Sequence, residues 1–200
     1  MAFDDSLEPT KPWQLMRKWF YGGPPSNCTM FGQFGKNCVG HGDMAYMEQL
    51  LTEHQEWTTV LELGTGSGLT TLWYAVAMNL RNGVVWTWDQ TRPQPFYARN
   101  WPHGVIFKQG DLYSEPLISQ IKDLASKTDT LLICDGGLKT LEFQTYAPSL
   151  AKGNGIVCHD WAVEVDHDLV ERVARDLGLE PLLHQWAGVC LSRYRGWKKV

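Results

Sequence analysis

Residues 60 to 68 read Val-Leu-Glu-Leu-Gly-Thr-Gly-Ser-Gly, an apolar run with one acid that leads into three glycines at every second position. Val60, Leu61 and Leu63 suit a parallel strand that is buried on both faces. The glycines allow the backbone to turn sharply and to approach a ligand closely. Residues 69 to 80 have helical composition and no breaker. We therefore predict a strand, a glycine loop and a helix whose N-terminus favours an anionic or electron-rich ligand.

The rest of the chain alternates apolar runs with helical segments, which is typical of a mostly parallel sheet covered by helices on both faces. The predicted strands lie near 59 to 63, 84 to 88, 104 to 108, 130 to 134, 155 to 158, 180 to 186 and 188 to 194. The predicted helices lie near 12 to 20, 43 to 55, 68 to 80, 93 to 100, 114 to 126, 139 to 150 and 166 to 177. Ala187-Gly188 is too short for a crossover, so the last two strands should form an antiparallel hairpin. The expected fold class is α/β, a Rossmann-like three-layer sandwich with a seven-stranded, mostly parallel sheet and one antiparallel strand.

Length and composition narrow the range of functions. The 200 residues are enough for one domain with a sizeable core. A net charge of −4 disfavours a nucleic-acid partner. Five cysteines form no C-x-x-C pair, and the first residues lack the basic start and apolar run of a signal peptide, so we expect a cytoplasmic protein. No apolar run approaches the ~20 residues that span a bilayer, so we expect no membrane partner.

Polar residues stand at the ends of the second and third predicted strands, where open α/β sheets bind ligands. Asp89 follows Gly68 by 21 residues and is placed to accept hydrogen bonds from ribose hydroxyls, with a turn or helix cap as the alternative. At Gly110-Asp111 a small residue lets the backbone close on a ring, and the family resemblance given below implies that Asp111 accepts a hydrogen bond from an adenine amino group. The alternative for Asp111 is the capping loop of the helix that begins near Ser114.

The fourth and fifth predicted strands end in Asp135 and in His159-Asp160. We expect these strands to be neighbours, which would bring two carboxylates and an imidazole together. Clustered carboxylates repel one another unless a cation or a proton compensates them. Oxygen ligands suit magnesium, calcium or manganese, and one imidazole shifts the preference toward manganese, iron or zinc. We predict a divalent metal site at Asp135, His159 and Asp160.

The glycine spacing separates two classes of cofactor. Gly64, Gly66 and Gly68 give G-x-G-x-G with Glu62 two residues ahead, whereas a dinucleotide fingerprint needs G-x-G-x-x-G. The pattern resembles motif I of the class I methyltransferases that use S-adenosyl-L-methionine (SAM). The resemblance implies that the loop, with Thr65, passes under the methionine part of SAM and that Glu62 lies near its ammonium group. A nicotinamide-dependent oxidoreductase is the less favoured alternative.

The acidic strand ends resemble those of the metal-dependent O-methyltransferases of the catechol O-methyltransferase type and of the macrocin and cephalosporin-hydroxylase-like group. The resemblance covers roughly residues 36 to 192 and includes Val39-Gly40-His41-Gly42-Asp43, in the place of a cofactor-contacting segment. It implies methyl transfer to a hydroxyl of a small molecule, assisted by magnesium or manganese. Val39 and Gly40 are therefore further candidates for contact with SAM.

Two positions depart from that family. His159 stands where the family usually has a carboxylate, so His159 is either a metal ligand or a base. Leu138 occupies the place of the usual lysine or histidine, and Lys139 follows it. Lys139 is either a catalytic residue that takes the acceptor's proton or an exposed lysine that opens the next helix. Asp135 is predicted to be needed for turnover as well as for the metal.

Residues 1 to 35 form an aromatic-rich arm before a SAM-binding domain of residues 36 to 200. The arm is a lid over the cofactor loop, a packing strap or a homodimer contact. Trp101 and Trp161 lie near strand ends and are candidates for either the ligand pocket or the core. A non-catalytic SAM-binding protein is the remaining alternative for the whole chain.

Overall fold

The structure is a computed structural model that describes residues 41 to 91, 101 to 183 and 194 to 200. For residues 41 to 45 and for residue 162 it describes the backbone alone.

Several predictions from the sequence fall outside these residues. They are the arm of residues 1 to 35, the helices at 12 to 20 and 93 to 100, and the cofactor contacts of Val39 and Gly40.

The described residues form seven strands and six α-helices that alternate along most of the chain. The strands are β1 (Thr59–Leu63), β2 (Val84–Asp89), β3 (Val105–Gln109), β4 (Thr130–Cys134), β5 (Gly155–Cys158), β6 (Leu179–Leu182) and β7 (Arg195–Lys199). The helices are α1 (His41–Glu53), α2 (Leu69–Asn79), α3 (Glu115–Ala125), α4 (Lys139–Tyr146), α5 (Trp161–Glu164) and α6 (His167–Asp176).

The predicted bounds of β1 to β5 and of α1, α2, α3 and α6 agree with the structure to within two residues. The helix predicted at 139 to 150 is divided, because α4 is followed by a 3-10 helix at Ala147–Ser149 that contains a proline without an N–H group. Helix α5 was not predicted, since four residues are too few to show a helical period.

The strands lie in the order β3-β2-β1-β4-β5-β7-β6. Strands β1 to β5 pair in parallel, and β7 is antiparallel to both β5 and β6. The predicted fold class, a mostly parallel seven-stranded sheet with one antiparallel strand, is confirmed. No helix among the described residues combines the length and the apolar character needed to cross a membrane.

Alternate residues of the central strands face the two helical layers. In β4, whose five residues are all buried, Leu131 and Ile133 pack toward α1 and α2. Leu132 and Cys134 pack on the other face with residues of α3, α4 and α6. This alternation is the side-chain period of a strand, and burial on both faces explains the continuous apolar run in the sequence.

The strand predicted at 188 to 194 lies outside the described residues except for residue 194, and the structure has a last strand, β7, that the sequence did not predict. Strand β7 begins at Arg195, whereas the sequence predicted a strand at 188 to 194 that follows Ala187-Gly188. The segment RGWKK appears polar, but Trp197 is buried against the core, and Lys198 reaches out to Glu56 with Nζ 2.9 Å from Oε1. One large aromatic residue is therefore enough to anchor this strand, and residues 184 to 193 lie outside the described ones.

Gly155→Ala should destabilise the fold. A Cβ at residue 155 would lie 2.6 Å from two ring atoms of Trp57, whose Nε1 is held by a 2.9 Å hydrogen bond to the carbonyl oxygen of Gly153. We expect a loss of about 1–3 kcal/mol in the free energy of unfolding, measured by urea titration. Trp57→Phe shrinks the ring, so Gly155→Ala should cost clearly less in that background. Equal costs in the two backgrounds would contradict this explanation.

Candidate functional site

The carboxyl ends of β1, β2, β4 and β5 lie side by side because these strands are parallel neighbours. Asp89 ends β2, while Asp135 and His159 directly follow β4 and β5. The pairing of β4 with β5 confirms that the two acidic strand ends are neighbours. The predicted site residues thus gather at the edge where open α/β sheets bind ligands.

The backbone between β1 and α2 turns through three glycines with positive φ: Gly64 (92°), Gly66 (52°) and Gly68 (80°). The N–H group of Gly64 donates to the carbonyl oxygen of Trp88 at 2.9 Å. The N–H group of Gly66 donates to Oδ2 of Asp89 at 2.8 Å. These bonds fix the glycine loop to the end of β2.

The three glycines differ in what surrounds them. A Cβ on Gly64 would lie 2.8 Å from the carbonyl carbon of Asp135, and one on Gly68 would lie 2.7 Å from the ring of Trp101. No atom of the described residues lies within 4 Å of the corresponding position on Gly66. The loop therefore packs tightly against β4 and Trp101 while it leaves open space over Gly66, as a ligand cradle requires.

Glu62 lies in β1 beneath the loop, with 1% of its surface exposed. Its Oε2 accepts hydrogen bonds from the hydroxyls of Thr71 in α2 and of Thr87 in β2, the latter at 2.7 Å. Oγ1 of Thr87 also lies 2.7 Å from Oγ1 of Thr65 in the loop. Burial raises the pKa of Glu62 to about 8, although the hydrogen bonds from Thr71 and Thr87 lower it. Glu62 is therefore mostly protonated at pH 7 and joins strand, loop and helix.

Asp89 and Asp111 both stabilise turns. Oδ1 of Asp89 accepts from the N–H group of Thr91 at 3.0 Å, and the carbonyl oxygen of Asp89 accepts from Gly110 at 2.9 Å. Asp111 is exposed, and its Oδ1 accepts from the N–H group of Tyr113 at 3.0 Å. The turn and capping-loop roles considered for these residues are thus present, while their contacts with ribose and adenine stay predictions.

Asp135, His159 and Asp160 come together, as the sequence predicted. One candidate ligand atom from each lies within 4.8 Å of the other two. Nδ1 of His159 is 2.9 Å from Oδ1 of Asp135 and 3.5 Å from Oδ2 of Asp160. Two carboxylates and one imidazole are a donor set that fits manganese and also admits magnesium. We call these three residues the acidic cluster.

Lys139 begins α4 with only 4% of its side chain exposed, so it is not an exposed lysine. Its Nζ lies 3.5 Å from Oδ1 of Asp135 and 3.7 Å from Oδ2 of Asp160, and it donates to Oε2 of Glu164. Burial lowers the pKa of Lys139, but the hydrogen bond to Glu164 and the nearby carboxylates outweigh it and raise the pKa overall.

Glu142 in α4 is fully buried, and the sequence analysis did not identify it. Its Oε1 accepts from the hydroxyl of Tyr113 at 2.8 Å and from the N–H group of Leu138 at 3.3 Å. Its Oε2 accepts from the N–H group of Gly136 at 3.1 Å. Glu142 therefore fixes the turn between β4 and α4 that carries Asp135. In the sequence nothing separates such a glutamate from one on a helix surface.

Two cysteines and a tryptophan pack around the cluster. Cys134 and Cys158 are buried opposite each other in β4 and β5, and burial raises the pKa of the Cys134 thiol. Trp161 stacks on His167 with ring centroids 4.3 Å apart and lies 5.4 Å from Trp197. Trp161 is thus part of the packing, whereas Trp101 lies beside the glycine loop.

No protein-family model matches the chain, and no curated protein matches it. An apo structure of CmcI matches at a TM-score of 0.65 and 15% identity, covering 100% of this chain and 88% of that one. A CmcI structure with Mg and SAM matches at a TM-score of 0.63 and 18% identity, covering 100% of this chain and 89% of that one. The O-methyltransferase from Bacillus cereus in complex with SAH matches at a TM-score of 0.57 and 14% identity, covering 98% of this chain and 94% of that one. These similarities confirm the expected fold, a Rossmann-like three-layer α/β sandwich.

Glu62→Gln should remove a pH dependence of stability. A glutamate titrates near about 4.3 in an unfolded chain, whereas the pKa of Glu62 in the folded protein is about 8. Between these values only the folded protein holds the proton, so the free energy of unfolding falls as pH rises, by up to about 1.4 kcal/mol per pH unit. Above the folded pKa this contribution is fully lost.

Urea unfolding measured across this pH window should show a shallower decline for the glutamine variant than for the wild type. Identical pH profiles for the two proteins would mean that Glu62 is ionised in the folded protein.

Proposed function

We propose that the protein is a SAM-dependent methyltransferase that transfers a methyl group to a hydroxyl of a small molecule. The observation that carries this proposal is the glycine loop, which leaves open space over Gly66 at the same sheet edge as Asp89 and the acidic cluster. The similarity in fold to solved methyltransferases supports it.

In this proposal the loop residues Gly64, Thr65, Gly66 and Gly68 lie under the methionine part of SAM. Glu62 is buried beneath them, so we propose that it acts on the cofactor through the loop rather than by direct contact. The loop also ends at the N-terminus of α2, whose unpaired N–H groups favour the carboxylate of the methionine part.

The remaining cofactor contacts concern the nucleoside. Each oxygen of Asp89 carries two lone pairs, so a carboxylate that already binds Gly66 and Thr91 can still accept from ribose hydroxyls. The backbone N–H group of Gly110 donates a hydrogen bond to the carbonyl oxygen of Asp89. This contact supports placing the adenine ring beside Gly110 and Asp111.

Asp135, His159 and Asp160 would hold the divalent metal, manganese or magnesium. The ion would supply Lewis acidity that lowers the pKa of the acceptor hydroxyl. The residues of the site would align the acceptor hydroxyl with the methyl group of SAM. In an in-line displacement, this alignment provides much of the rate acceleration.

The raised pKa keeps Lys139 as an ammonium, which is a poor proton acceptor but stabilises negative charge that develops on the acceptor oxygen. Of the two candidate bases, we therefore favour His159 over Lys139: in that role His159 takes the proton of the acceptor hydroxyl, and Asp135 and Asp160 hold the metal.

The acceptor is proposed to have an apolar part. Leu138 and Val163 are 54% and 76% exposed and adjoin Lys139 and Glu164 in the chain. Exposed apolar side chains beside a polar site often contact a ligand. We propose a cytoplasmic enzyme whose partner is such a small molecule, without a membrane or nucleic-acid partner; a homodimer through the arm belongs to the same proposal.

Calorimetric titration of SAM and of its demethylated product, S-adenosylhomocysteine (SAH), tests the function, with Mn²⁺ present and then with EDTA. Saturable, stoichiometric binding is expected for both. Absence of binding under both conditions would overturn the methyltransferase proposal and favour a nicotinamide cofactor or a protein that binds no nucleotide.

Gly66→Asn should weaken SAH binding by about tenfold or more, because asparagine tolerates positive φ but fills the space over the loop. The matched control is Gly178→Asn, since Gly178 also has positive φ (65°) with no described atom within 4 Å of its Cβ position, and it lies between α6 and β6. Similar thermal stability of the two variants with a loss of affinity only in the first is the expected result. Unchanged affinity in Gly66→Asn would argue against the cradle.

Asp135→Ala should leave SAH affinity within about twofold while it abolishes Mn²⁺ binding and methyl transfer. Gly64 packs on the backbone of Asp135, which the substitution retains. Calorimetry gives both affinities, and transfer of a labelled methyl group to a panel of phenols and sugars gives activity. Equal loss of SAH and Mn²⁺ binding would mean that the Asp135 side chain supports the cofactor site. Retained methyl transfer would mean that its carboxylate is not needed for the reaction.

A further inference from the structure

We infer that Lys139 and Glu164 form a charge latch that sets how tightly the acidic cluster binds a divalent cation. In the latch, the ammonium of Lys139 acts as an internal competitor for the cluster, and Glu164 draws that ammonium away from it. The inference rests on the proposed metal site, and it assigns a role to Glu164, which neither the sequence analysis nor the proposed function uses.

Lys139 interacts with three carboxylates. Its Nζ is 3.5 Å and 3.7 Å from the nearest carboxylate oxygens of Asp135 and Asp160, and it donates a hydrogen bond to Glu164. The lysine side chain is 4% exposed, so its charge is little screened by solvent. Any cation bound by the same two carboxylates would meet this ammonium at short range.

Glu164 competes with the acidic cluster for the ammonium of Lys139. It lies at the end of α5, the helix that Asp160 caps, and its side chain is 47% exposed. The segment after α5 is tied to α4, because Oγ1 of Thr140 accepts from the N–H group of Asp166 at 2.9 Å. Glu164 is thus held beside Lys139 but outside the acidic cluster, where it attracts the ammonium without joining the three predicted ligands.

Two opposite effects on cation affinity follow. Removing the charge of Lys139 removes a repulsion and leaves the ligands in place, so the affinity should rise. When Glu164 loses its charge, the ammonium of Lys139 interacts more strongly with the carboxylates of Asp135 and Asp160. The affinity of the cluster for the cation should therefore fall. The second effect depends on the first, since Glu164 acts through Lys139, and thermodynamic coupling between the two residues is the signature of a latch.

Calorimetric titration of Mn²⁺ into the full chain tests the latch with four proteins: wild type, Lys139→Met, Glu164→Gln and the double variant. Lys139→Met should tighten Mn²⁺ binding by about tenfold, and Glu164→Gln should weaken it by about fivefold. In the Lys139→Met background, Glu164→Gln should change the affinity by no more than about twofold.

Lys127→Met and Asp168→Asn are matched controls, because each removes one surface charge outside the cluster and should leave Mn²⁺ affinity unchanged. Circular dichroism monitors folding of Lys139→Met; Glu164→Gln alters a half-exposed side chain and carries the test if the lysine variant does not fold. A rise in affinity on Glu164→Gln, or an equal fall in both backgrounds, would overturn the latch, the latter because Glu164 would then act on the cation directly.

SAH titration of the same proteins separates this inference from the proposed function. SAH affinity should be similar in all four proteins. Absence of Mn²⁺ binding in both wild type and Lys139→Met, with SAH binding intact, would overturn the latch and the metal site on which it rests, while SAM-dependent methyl transfer would stand. Absence of SAH binding in the wild type would overturn the methyltransferase proposal whatever the Mn²⁺ result.

Discussion

The close approach of the Gly64 backbone to Asp135 is the constraint on which the rest of the site depends. A Cβ at residue 64 would lie 2.8 Å from the carbonyl carbon of Asp135, so only glycine lets the end of β1 pack on the end of β4. The glycine loop and the acidic cluster are thereby parts of one arrangement. For a reaction in which a group passes in line from one molecule to another, such a fixed relation between the two halves of a site is the main contribution that a protein can make.

Three buried ionisable groups support this arrangement, and each meets the cost of burial differently. Glu62 is protonated and bonded to two threonines, which keeps the loop attached to β2 and α2. Glu142 is surrounded by two backbone N–H groups and a tyrosine hydroxyl, and it shapes the turn after β4. Lys139 keeps its charge because carboxylates surround it. These buried polar residues therefore fix the geometry of the site and also contribute to its charge.

The sequence predicted those parts of the structure that depend on local pattern. The run from Val60 to Gly68 contains its own strand and loop signals, and the expectation that β4 and β5 are neighbours is confirmed. Glu142 and Glu164 could not be predicted, because their roles depend on which side chains the fold places beside them. Strand β7 was not predicted for a related reason: its segment appears polar in the sequence, and its pairing with β5 and β6 depends on the fold.

The position of β7 between β5 and β6 has a consequence for how the chain is made. The ribosome synthesises β6 before β7. Among the described strands, however, β6 pairs with β7 alone. A nascent chain can therefore complete the five parallel strands β1 to β5 while β5 remains an open edge and β6 has no place in the sheet. Open edges pair readily with other chains, so in this interval of synthesis the edge of β5 is exposed to pairing with other chains.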